Sequence, residues 1–386
     1  MPNKRNIEQL LNDLRSASVE YKALGEIATR NKGMNITAGQ MKEMADPDGD
    51  VRIFAAGNTK VDVLECDIAK ANIIRVPGII VKSRGHVSFE FYSKPFTHKN
   101  EMWSYSNFVG ANIKYVFYYL EQHTQHFIDT AKANSVKLPQ LCVADTDGYK
   151  IPLPPIELQN EIVRVLDTFA KLLDNIDTEI GIRLSQLEDA RTTILSEIDG
   201  VDEWKTIGEI CIYPNERIAA TEIDEDNYVG VENMLQNKSG KTKASTLPTG
   251  NAIKFVEGDV LIGNIRPNLR KIWLADRIGG TNGDVVTLRR KDEYWYTIDT
   301  SYLYHVLADE RFFMYDIQYA RGAKMPRGNK EKILEYSIPV PPLAEQRAIA
   351  EKLDTIEAFI NNLKTERDLR QQQYEYYREH LINLLK

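Results

Sequence analysis

The stretch Ile151-Pro152-Leu153-Pro154-Pro155 occurs a second time, 187 residues later, as Ile338-Pro339-Val340-Pro341-Pro342. Identical or similar residues keep the same offset on both sides of this proline run, without a gap. The matched pairs are Lys137-Leu138-Pro139 with Lys324-Met325-Pro326, Gln159 with Gln346, Leu166-Asp167-Thr168 with Leu353-Asp354-Thr355, and Arg191 with Arg378. An internal repeat of this length predicts the overall architecture more directly than any single helix or strand pattern. The 386-residue chain is predicted to be two tandem copies, each a globular part followed by a helix.

After each proline run, apolar residues return at alternating steps of four and three, which is the pattern of a coiled-coil seam. The seam positions are Ile162, Leu166, Phe169, Leu173, Ile176 and Ile180 in the first copy, and Ile349, Leu353, Ile356, Ile360 and Leu363 in the second. Pro155 suits a first helical turn, and Gly200 is a stop signal. Each helix is therefore about 40 residues, or roughly 60 Å, long. The economical way to bury both seams is an antiparallel pair, because a compact domain separates the two helices along the chain.

An alternative remains open, in which each helix is the long amphipathic element of its own domain. The segment Met1–Ser18 is predicted to form a short helix on the same helical pair. The predicted segments are an N-terminal helix (1–20), a first globular domain (21–150), a central helical spacer (151–203), a second globular domain (204–337) and a C-terminal helical spacer (338–386).

Each globular part mixes strand-like and helix-like runs. Strand–turn–strand patterns occur at 73–81 and 255–262, and Tyr115–Leu120 and Tyr302–Leu307 are typical of buried helices. The predicted fold class is α+β: two mixed α/β domains joined by two long helices that form an antiparallel coiled coil, with an internal two-fold repeat.

Charge is distributed unevenly along the chain. The formal net charge is −7, but Glu157–Glu203 alone contains 12 acidic and 4 basic residues. Gly263–Lys291 has seven basic residues against two acidic ones, and Arg311–Lys332 has six against two. Basic regions flanking an acidic helical region indicate different partners for the two parts of the molecule.

The basic clusters lie in turns, which favours contact with DNA. Arg and Lys can bind guanine edges, Asn can bind adenine, and lysines neutralise phosphates. Any one of these residues alone is better explained as part of a solvated loop, whereas the clusters together favour DNA. The candidate DNA-binding residues are Lys82, Arg84, His86, Lys94, Lys99 and Lys137 in the first copy, and Arg266, Asn268, Arg270, Lys271, Arg321, Lys324 and Arg327 in the second.

Motifs for catalysis and cofactor binding are missing from the sequence. There is no P-loop, no Gly-x-Gly-x-x-Gly and no methyltransferase tetrad around the prolines. Three scattered cysteines predict neither disulfides nor a zinc site, and His123 and His126 are better explained as a surface or core pair than as metal ligands. No apolar run is long enough for a membrane helix, and the N-terminus lacks a signal-peptide pattern. We therefore expect a non-catalytic, metal-free, cytoplasmic protein.

The duplicated Ile-Pro-x-Pro-Pro…Gln…Leu-Asp-Thr stretch, the ending Arg370–Arg378 and the Lys-x-Leu/Ile-Gly-Glu-Ile openings resemble the specificity subunit of type I DNA restriction–modification enzymes. The resemblance covers nearly the whole chain in that family's order of target-recognition domains and helical regions. It implies a DNA-reading subunit without chemistry of its own, in which each domain reads one half of a split site on double-stranded DNA and the helices set the gap.

The resemblance also implies partners. These are two modification subunits, which bind S-adenosylmethionine and methylate adenine, and two restriction subunits, which are translocase–nucleases using ATP and Mg. Because the helices match well while the globular parts differ greatly, we expect similar surfaces for identical partners and an asymmetric DNA target. The competing hypotheses are a coiled-coil adaptor with two protein-binding heads and no DNA role, and a self-contained methyltransferase or nuclease.

Overall fold

The computed structural model describes residues 6–135, 137–198 and 200–384. Residues 1–5 of the predicted N-terminal helix and residues 385–386 of the predicted C-terminal spacer lie outside these ranges, as do residues 136 and 199. The chain divides into two compact units: the first includes residues up to Asn175 and again from Arg367 onward, and the second is Ile176–Glu366. Both unit boundaries fall inside the predicted long helices, so the units divide the chain differently from the five predicted segments, whose bounds stay a prediction.

The elements up to the first long helix alternate between strands and short helices. In chain order they are α1 (Ile7–Ser16), β1 (Glu20–Ala23), α2 (Leu24–Ile27), β2 (Thr29–Lys32), α3 (Ala38–Glu43), β3 (Val51–Phe54), β4 (Lys60–Val63), β5 (Gly78–Lys82), β6 (Ser88–Tyr92), β7 (Phe96–His98), β8 (Trp103–Ser106), α4 (Ile113–Gln122), α5 (Thr124–Asn134), α6 (Val143–Asp147), β9 (Lys150–Leu153) and α7 (Ile156–Glu197).

The remaining chain repeats this scheme with shorter strands. Its elements are β10 (Trp204–Thr206), α8 (Ile207–Ile210), β11 (Cys211–Ile212), β12 (Arg217–Ile218), β13 (Tyr228–Val229), β14 (Ala252–Phe255), β15 (Val260–Gly263), β16 (Ile272–Leu274), β17 (Gly279–Thr281), β18 (Val285–Arg290), α9 (Thr300–Leu307), α10 (Glu310–Tyr319), α11 (Lys330–Glu335), β19 (Ser337–Pro339) and α12 (Leu343–Asn383).

The sheets show that the repeat extends into the globular parts, where sequence identity is low. In the first unit a four-stranded sheet has the order β2-β8-β5-β6, and in the second the order is β11-β18-β15-β16. The short ladders β1–β9 and β10–β19 are also equivalent, with Tyr21 opposite Pro152 and Trp204 opposite Pro339. A third sheet differs between the copies: β4-β3-β7 in one, β12-β14-β17-β13 in the other. The predicted α+β class and internal repeat are confirmed.

Helices α7 and α12 have 42 and 41 residues, as the repeated seam predicts. In the first unit, the ring of Phe169 on α7 stacks on Tyr377 of α12, with centroids 5.4 Å apart. In the second unit, Arg183 of α7 lies over the ring of Phe359 on α12. Because the partner's number falls as the position on α7 rises, the helices run antiparallel. All eleven predicted seam residues are buried or half-buried.

The start of each long helix also packs against its own globular part. In its first turns, each helix is therefore an element of its own domain, as the alternative interpretation predicts. The amide oxygen of buried Gln159 accepts the backbone N–H of Asn112 at 2.8 Å, and its amide nitrogen donates to the carbonyl of Pro154. In the second unit Gln346 accepts the N–H of Asp299 at 2.9 Å. The repeated glutamine thus joins each proline run to the N-terminus of α4 or α9.

Two local predictions need correction. Residues 73–76 form no strand, because a 3₁₀ turn at Lys70–Asn72 precedes them and Pro77 offers no N–H; Ile74 makes only an isolated bridge to Phe96. Of the predicted N-terminal helix, the described residues form Ile7–Ser16, which begins at a capping box of Asn6 and Gln9 and ends before Ala17 and Ser18; its Leu10 belongs to the core of the first unit. Within the described residues, none of the helices combines the length and apolar character that crossing a membrane requires.

Candidate nucleic-acid interface

In the second unit the structure joins the two predicted basic loops. Ile265 and Arg327 form an isolated antiparallel bridge, and the N–H of Arg266 donates to the carbonyl of Pro326 at 2.7 Å. Arg321 and Arg327 pair with each other in the same way across the turn that contains Lys324. The loop after β15 and the loop after α10 therefore form a single surface, although about 50 residues separate them in sequence.

The first of these loops has an unusual backbone. Arg266 and Arg270 both adopt left-handed conformations, with φ values of 52° and 50°, on either side of the 3₁₀ turn Pro267–Leu269. Such conformations are uncommon for residues with a side chain and persist only where the surroundings impose them. The fixed φ of Pro267 and the bridge to the second loop supply that constraint, so the side chains of Arg266 and Asn268 leave a defined turn.

Four of the predicted residues on this surface expose their side chains to solvent. They are Arg266, Asn268, Arg321 and Lys324. Arg327 is also exposed, and its guanidinium contacts the Asp284 carboxylate at 3.0 Å. Such an exposed ion pair contributes little to stability and can be exchanged for another anion.

The side chains of two other predicted residues bind groups within the second unit. Arg270 forms a two-point ion pair with Glu310, whose carboxylate raises the pKa of the guanidinium. Lys271 is only 9% exposed; its ammonium donates to the carbonyl of Val231 at 2.6 Å, and burial lowers its pKa. Their assignment to DNA contact stays a prediction, and the structure shows that each has an internal role.

The first unit has the equivalent loop junction. Arg84 and Gln140 form an isolated antiparallel bridge, and Gln140 is the repeat partner of Arg327. The N–H of Gly85 donates to the carbonyl of Pro139 at 2.9 Å. Exposed Arg84 and His86 therefore lie beside the segment that contains exposed Lys137.

The other candidates of the first unit lie outside this junction. Lys82 is buried at the end of β5, and its ammonium contacts Glu90 at 2.7 Å. Lys99 contacts Glu101 at 3.1 Å, while Lys94 is exposed in the turn between β6 and β7. Six residues were predicted here, and the structure brings three of them together.

Beneath the second-unit surface lies a buried carboxyl group that the sequence analysis missed. Asp316 on α10 is 1% exposed, and neither of its oxygens has a hydrogen-bond partner among the described residues. The side-chain oxygen of Asn264 is buried and unpartnered in the same way. Both residues crowd Gly328, where a Cβ would come within 2.5 Å of Asp316 Oδ1 and 2.7 Å of Asn264 Oδ1. Glycine is therefore required at the junction. The sequence does not show that Asp316 is buried, because an aspartate in a basic segment is expected to be a solvated surface residue.

Burial raises the pKa of Asp316 to about 6, from 3.8. The folded protein consequently binds this proton more tightly than the unfolded chain, and its stability falls as the pH rises from about 4 to about 6 and remains lower above. Asp316→Asn removes the ionisation, so we expect it to stabilise the protein at pH 8 by up to about 3 kcal/mol and hardly at all at pH 4. Urea unfolding at several pH values measures this.

The repeat supplies the control for this prediction. Asp129 stands at the equivalent position on α5 and is exposed. Asp129→Asn should not reproduce the stabilisation that Asp316→Asn gives at pH 8. Equal pH profiles for both variants would show that Asp316 is not the group responsible.

The chain is similar to known proteins in both sequence and fold. The family described as "Type I restriction modification DNA specificity domain" matches residues 17–189 and 202–370. The chain belongs to this family. The two matched regions coincide with the two repeats, and the resemblance inferred from the duplicated motif is confirmed.

Individual members of the family are similar over much of their length. The chain is 25% identical over 308 residues to the EcoR124I/EcoR124II type I restriction enzyme specificity subunit of Escherichia coli, covering 71% of each protein. It is 24% identical to the putative type I restriction enzyme specificity subunit S.HindORF215P of Haemophilus influenzae, covering 99% of this chain and all of that one. The crystal structure of a type I restriction–modification S subunit from M. genitalium shares the fold, with a TM-score of 0.63 at 15% identity and coverage of 95% and 96%.

One group of side chains in the second unit of this family member has metal-ligand chemistry: His305, Asp354 and Glu357. The Nε2–H of His305 donates to the Asp354 carboxylate at 2.8 Å, and its Nδ1 faces the guanidinium of Arg191 at 3.5 Å. The hydroxyl of Tyr304 donates to Glu357. Because a buried arginine stands against the ring, we interpret the group as a hydrogen-bond network that fastens α9 to α12 and α7.

Proposed function

We propose that the chain is the DNA-sequence-recognition subunit of a type I restriction–modification complex. Each unit would read one half of an asymmetric, bipartite site on double-stranded DNA. The chain would also join two modification subunits and, in the larger assembly, two restriction subunits. It would perform no catalytic step; S-adenosylmethionine, ATP and Mg would be bound by those partners.

The observation that carries this proposal is the loop junction found in both units. The Arg84–Gln140 bridge and the Ile265–Arg327 bridge occupy equivalent places in the repeat. Each fixes a basic loop against a second one, and the exposed residues differ: Arg84, His86 and Lys137 in one unit, and Arg266, Asn268, Arg321, Lys324 and Arg327 in the other. An equivalent scaffold with different exposed donors is suited to two unlike half-sites, because base edges are distinguished by the donors placed against them.

The long helices support the spacing part of the proposal. A helix of 42 residues is roughly 63 Å long, and a turn of B-form DNA is about 34–36 Å. A whole helix therefore equals just under two DNA turns, and a span between contacts that is shorter than one helix suits half-sites about one to one-and-a-half turns apart. The acidic character of Glu157–Glu203 makes α7 a poor surface for phosphates and a better one for protein partners.

Arg266 and Lys324 provide the test, because both are exposed at the second-unit junction. We expect Arg266→Ala combined with Lys324→Ala to weaken DNA binding roughly tenfold or more at moderate salt. If both side chains contact phosphates, the slope of log K against log salt should also fall by about 1.8. The measurement is fluorescence anisotropy with the subunit in complex with its modification subunits. The duplex carries the site obtained by mapping methylated adenines in the host genome.

The matched control also removes two positive charges, but from the long helices and not from the loop junction. Lys171 and Lys352 are exposed on α7 and α12, and Lys171→Ala with Lys352→Ala should leave DNA binding unchanged. If the two double variants bind DNA with equal affinity, the loops are not the DNA interface, and the result supports the adaptor hypothesis. A palindromic methylated site would contradict the asymmetry.

A further inference from the structure

Left-handed backbone conformations are concentrated at one place in the second unit. Among the described residues, five non-glycine residues have a positive φ, and four of them meet here, with φ between 50° and 58°: Asn237, Lys238, Arg266 and Arg270. The N–H of Asn237 donates to the carbonyl of Leu269 at 2.9 Å, and the N–H of Lys238 donates to that of Arg270 at 2.8 Å. Such conformations cost free energy and cluster at functional sites, so this contact between two loops requires an explanation.

Lys238 occupies a turn position that glycine would fill with less strain. The N–H of Ser239 donates to the carbonyl of Gln236 at 3.3 Å, which closes a tight turn with Asn237 and Lys238 at its centre. Positive φ at both central residues is the type I′ pattern, in which asparagine followed by glycine is strongly preferred. Asn237 follows this preference and Lys238 does not. A lysine at this position indicates a role for its side chain.

The side chain of Lys238 connects this turn to the long helix α7. It is 8% exposed, and its ammonium donates to the carboxylate of half-buried Glu188. The other oxygen of Glu188 accepts the guanidinium of Arg191 at 2.5 Å on the same helix. Arg191 is itself buried and faces His305 of α9. The Glu188 carboxylate is therefore held on α7 by one cation and bound to the turn by the other.

A second ion pair lies beside the first and belongs to the loop after β15. Arg270 of this loop binds Glu310 of α10 and lowers the pKa of its carboxyl, an effect to which Lys238 adds. Glu310 raises the pKa of Arg270, and Glu188 adds to that effect. Two cations and two carboxylates therefore connect the loop, the turn, α7 and α10. Such a network constrains geometry more than a single exposed ion pair does.

In the first unit the equivalent glutamate has a different partner. Glu375, the repeat partner of Glu188, is exposed and accepts from Gln371 of its own helix at 2.6 Å. Arg378, the repeat partner of Arg191, contacts α4. The arginine contact between a long helix and a globular part is thus shared by both units, whereas the contact of the glutamate with a loop lysine belongs to the second.

We propose that Lys238 and Glu188 are positioning residues that fix the DNA-reading loop of the second unit to the spacer helix α7, and that they thereby restrict the distance between half-sites that the subunit accepts. The inference rests on the proposed function and adds a determinant of specificity outside the DNA interface. One base pair more or less in the spacer moves a half-site by about 3.4 Å along the duplex. A loop fixed to its helix cannot follow this shift, whereas a loop released from the helix can.

Lys238→Gly and Lys238→Met test the proposal, because both remove the ammonium but only glycine relieves the strained φ. Fluorescence anisotropy measures binding of the subunit, in complex with its modification subunits, to the mapped site and to duplexes with a spacer one base pair shorter or longer. The wild type should bind the altered duplexes at least roughly tenfold more weakly, because base contacts are lost. In both variants we expect this ratio to fall to about threefold or less, because the loop is no longer held. Glu188→Gln, which changes the helix and not the turn, should show the same loss.

Controls separate positioning from general stability. Lys243→Met removes an exposed lysine of the same unit, which pairs with Glu225 at 2.6 Å; it should keep the wild-type ratio, as should Lys238→Arg, which retains the cation. Circular dichroism and thermal unfolding check the fold of every variant. A wild-type ratio in Lys238→Gly and Lys238→Met would overturn the positioning proposal and leave the proposed function standing. Equal weakening on all three duplexes would also overturn it, since that is the effect of a merely structural role. A wild-type complex that binds none of the duplexes would overturn the proposed function as well.

Discussion

Leu353→Ala is expected to lower the free energy of unfolding by about 2–5 kcal/mol, the usual cost of emptying a leucine site in a core. Leu353 is fully buried on α12 and belongs to the core of the second unit, together with Ile349 and Ile360. The measurement is urea unfolding followed by circular dichroism at 222 nm. Hydrogen exchange should locate the loss of protection in the second unit.

The same helix offers the control for this substitution. Leu369 is 56% exposed, and Leu369→Ala should change stability by no more than about 0.5 kcal/mol. Leu166 is the repeat partner of Leu353 and is equally buried in the first unit. Leu166→Ala should therefore be as costly, with its loss of protection in the first unit. Similar small effects for Leu353→Ala and Leu369→Ala would show that the seam is not a core.

Gln346→Ala should destabilise the start of α12 by about 3 kcal/mol or more, because buried polar groups lose their partners. Gln346 is fully buried. Its amide accepts the N–H of Asp299 and donates to the carbonyls of Thr297 and Pro341, at 2.9, 2.9 and 2.7 Å. Alanine leaves these three backbone groups without their partner and opens a cavity.

Hydrogen exchange at the Asp299 amide gives the direct measurement. We expect exchange to become roughly 100-fold faster in Gln346→Ala, as a loss of about 3 kcal/mol in local stability requires. Gln372 is exposed on the same helix, and Gln372→Ala should leave that amide as protected as in the wild type. Unchanged protection in Gln346→Ala would mean that the glutamine does not hold the loop.

Sequence was sufficient for the features that depend on periodicity and duplication. The steps between Ile162 and Ile180 fix one face of a helix, and a face of that length has to be buried. The similar proline runs Ile151–Pro155 and Ile338–Pro342 then place the same element twice. The lengths of the two long helices and the internal repeat follow from these two facts. The α+β class followed from the strand-like runs of the globular parts, and the antiparallel pair from the compact domain between the two helices.

Contacts between distant residues were beyond the reach of sequence. Arg270 and Lys271 belong to a basic cluster, but their partners, Glu310 and the carbonyl of Val231, are each 40 residues away. The bridge between Arg84 and Gln140 likewise depends on how the loops fold. The sequence therefore identified the loops of the candidate site. Only the three-dimensional arrangement distinguishes the exposed side-chain donors from those that already donate to groups inside the protein.

The discontinuous first unit affects the order in which the protein can fold. Its core includes Tyr374, Leu381 and Ile382, which follow the entire second unit along the chain. Arg378 reaches Gln122 across 256 residues. Closing a loop costs more entropy as it lengthens, and prior folding of Ile176–Glu366 shortens the effective loop. Folding is therefore expected to begin in the continuous second unit. The first unit can complete its core only after the segment from Arg367 onward has been brought to it.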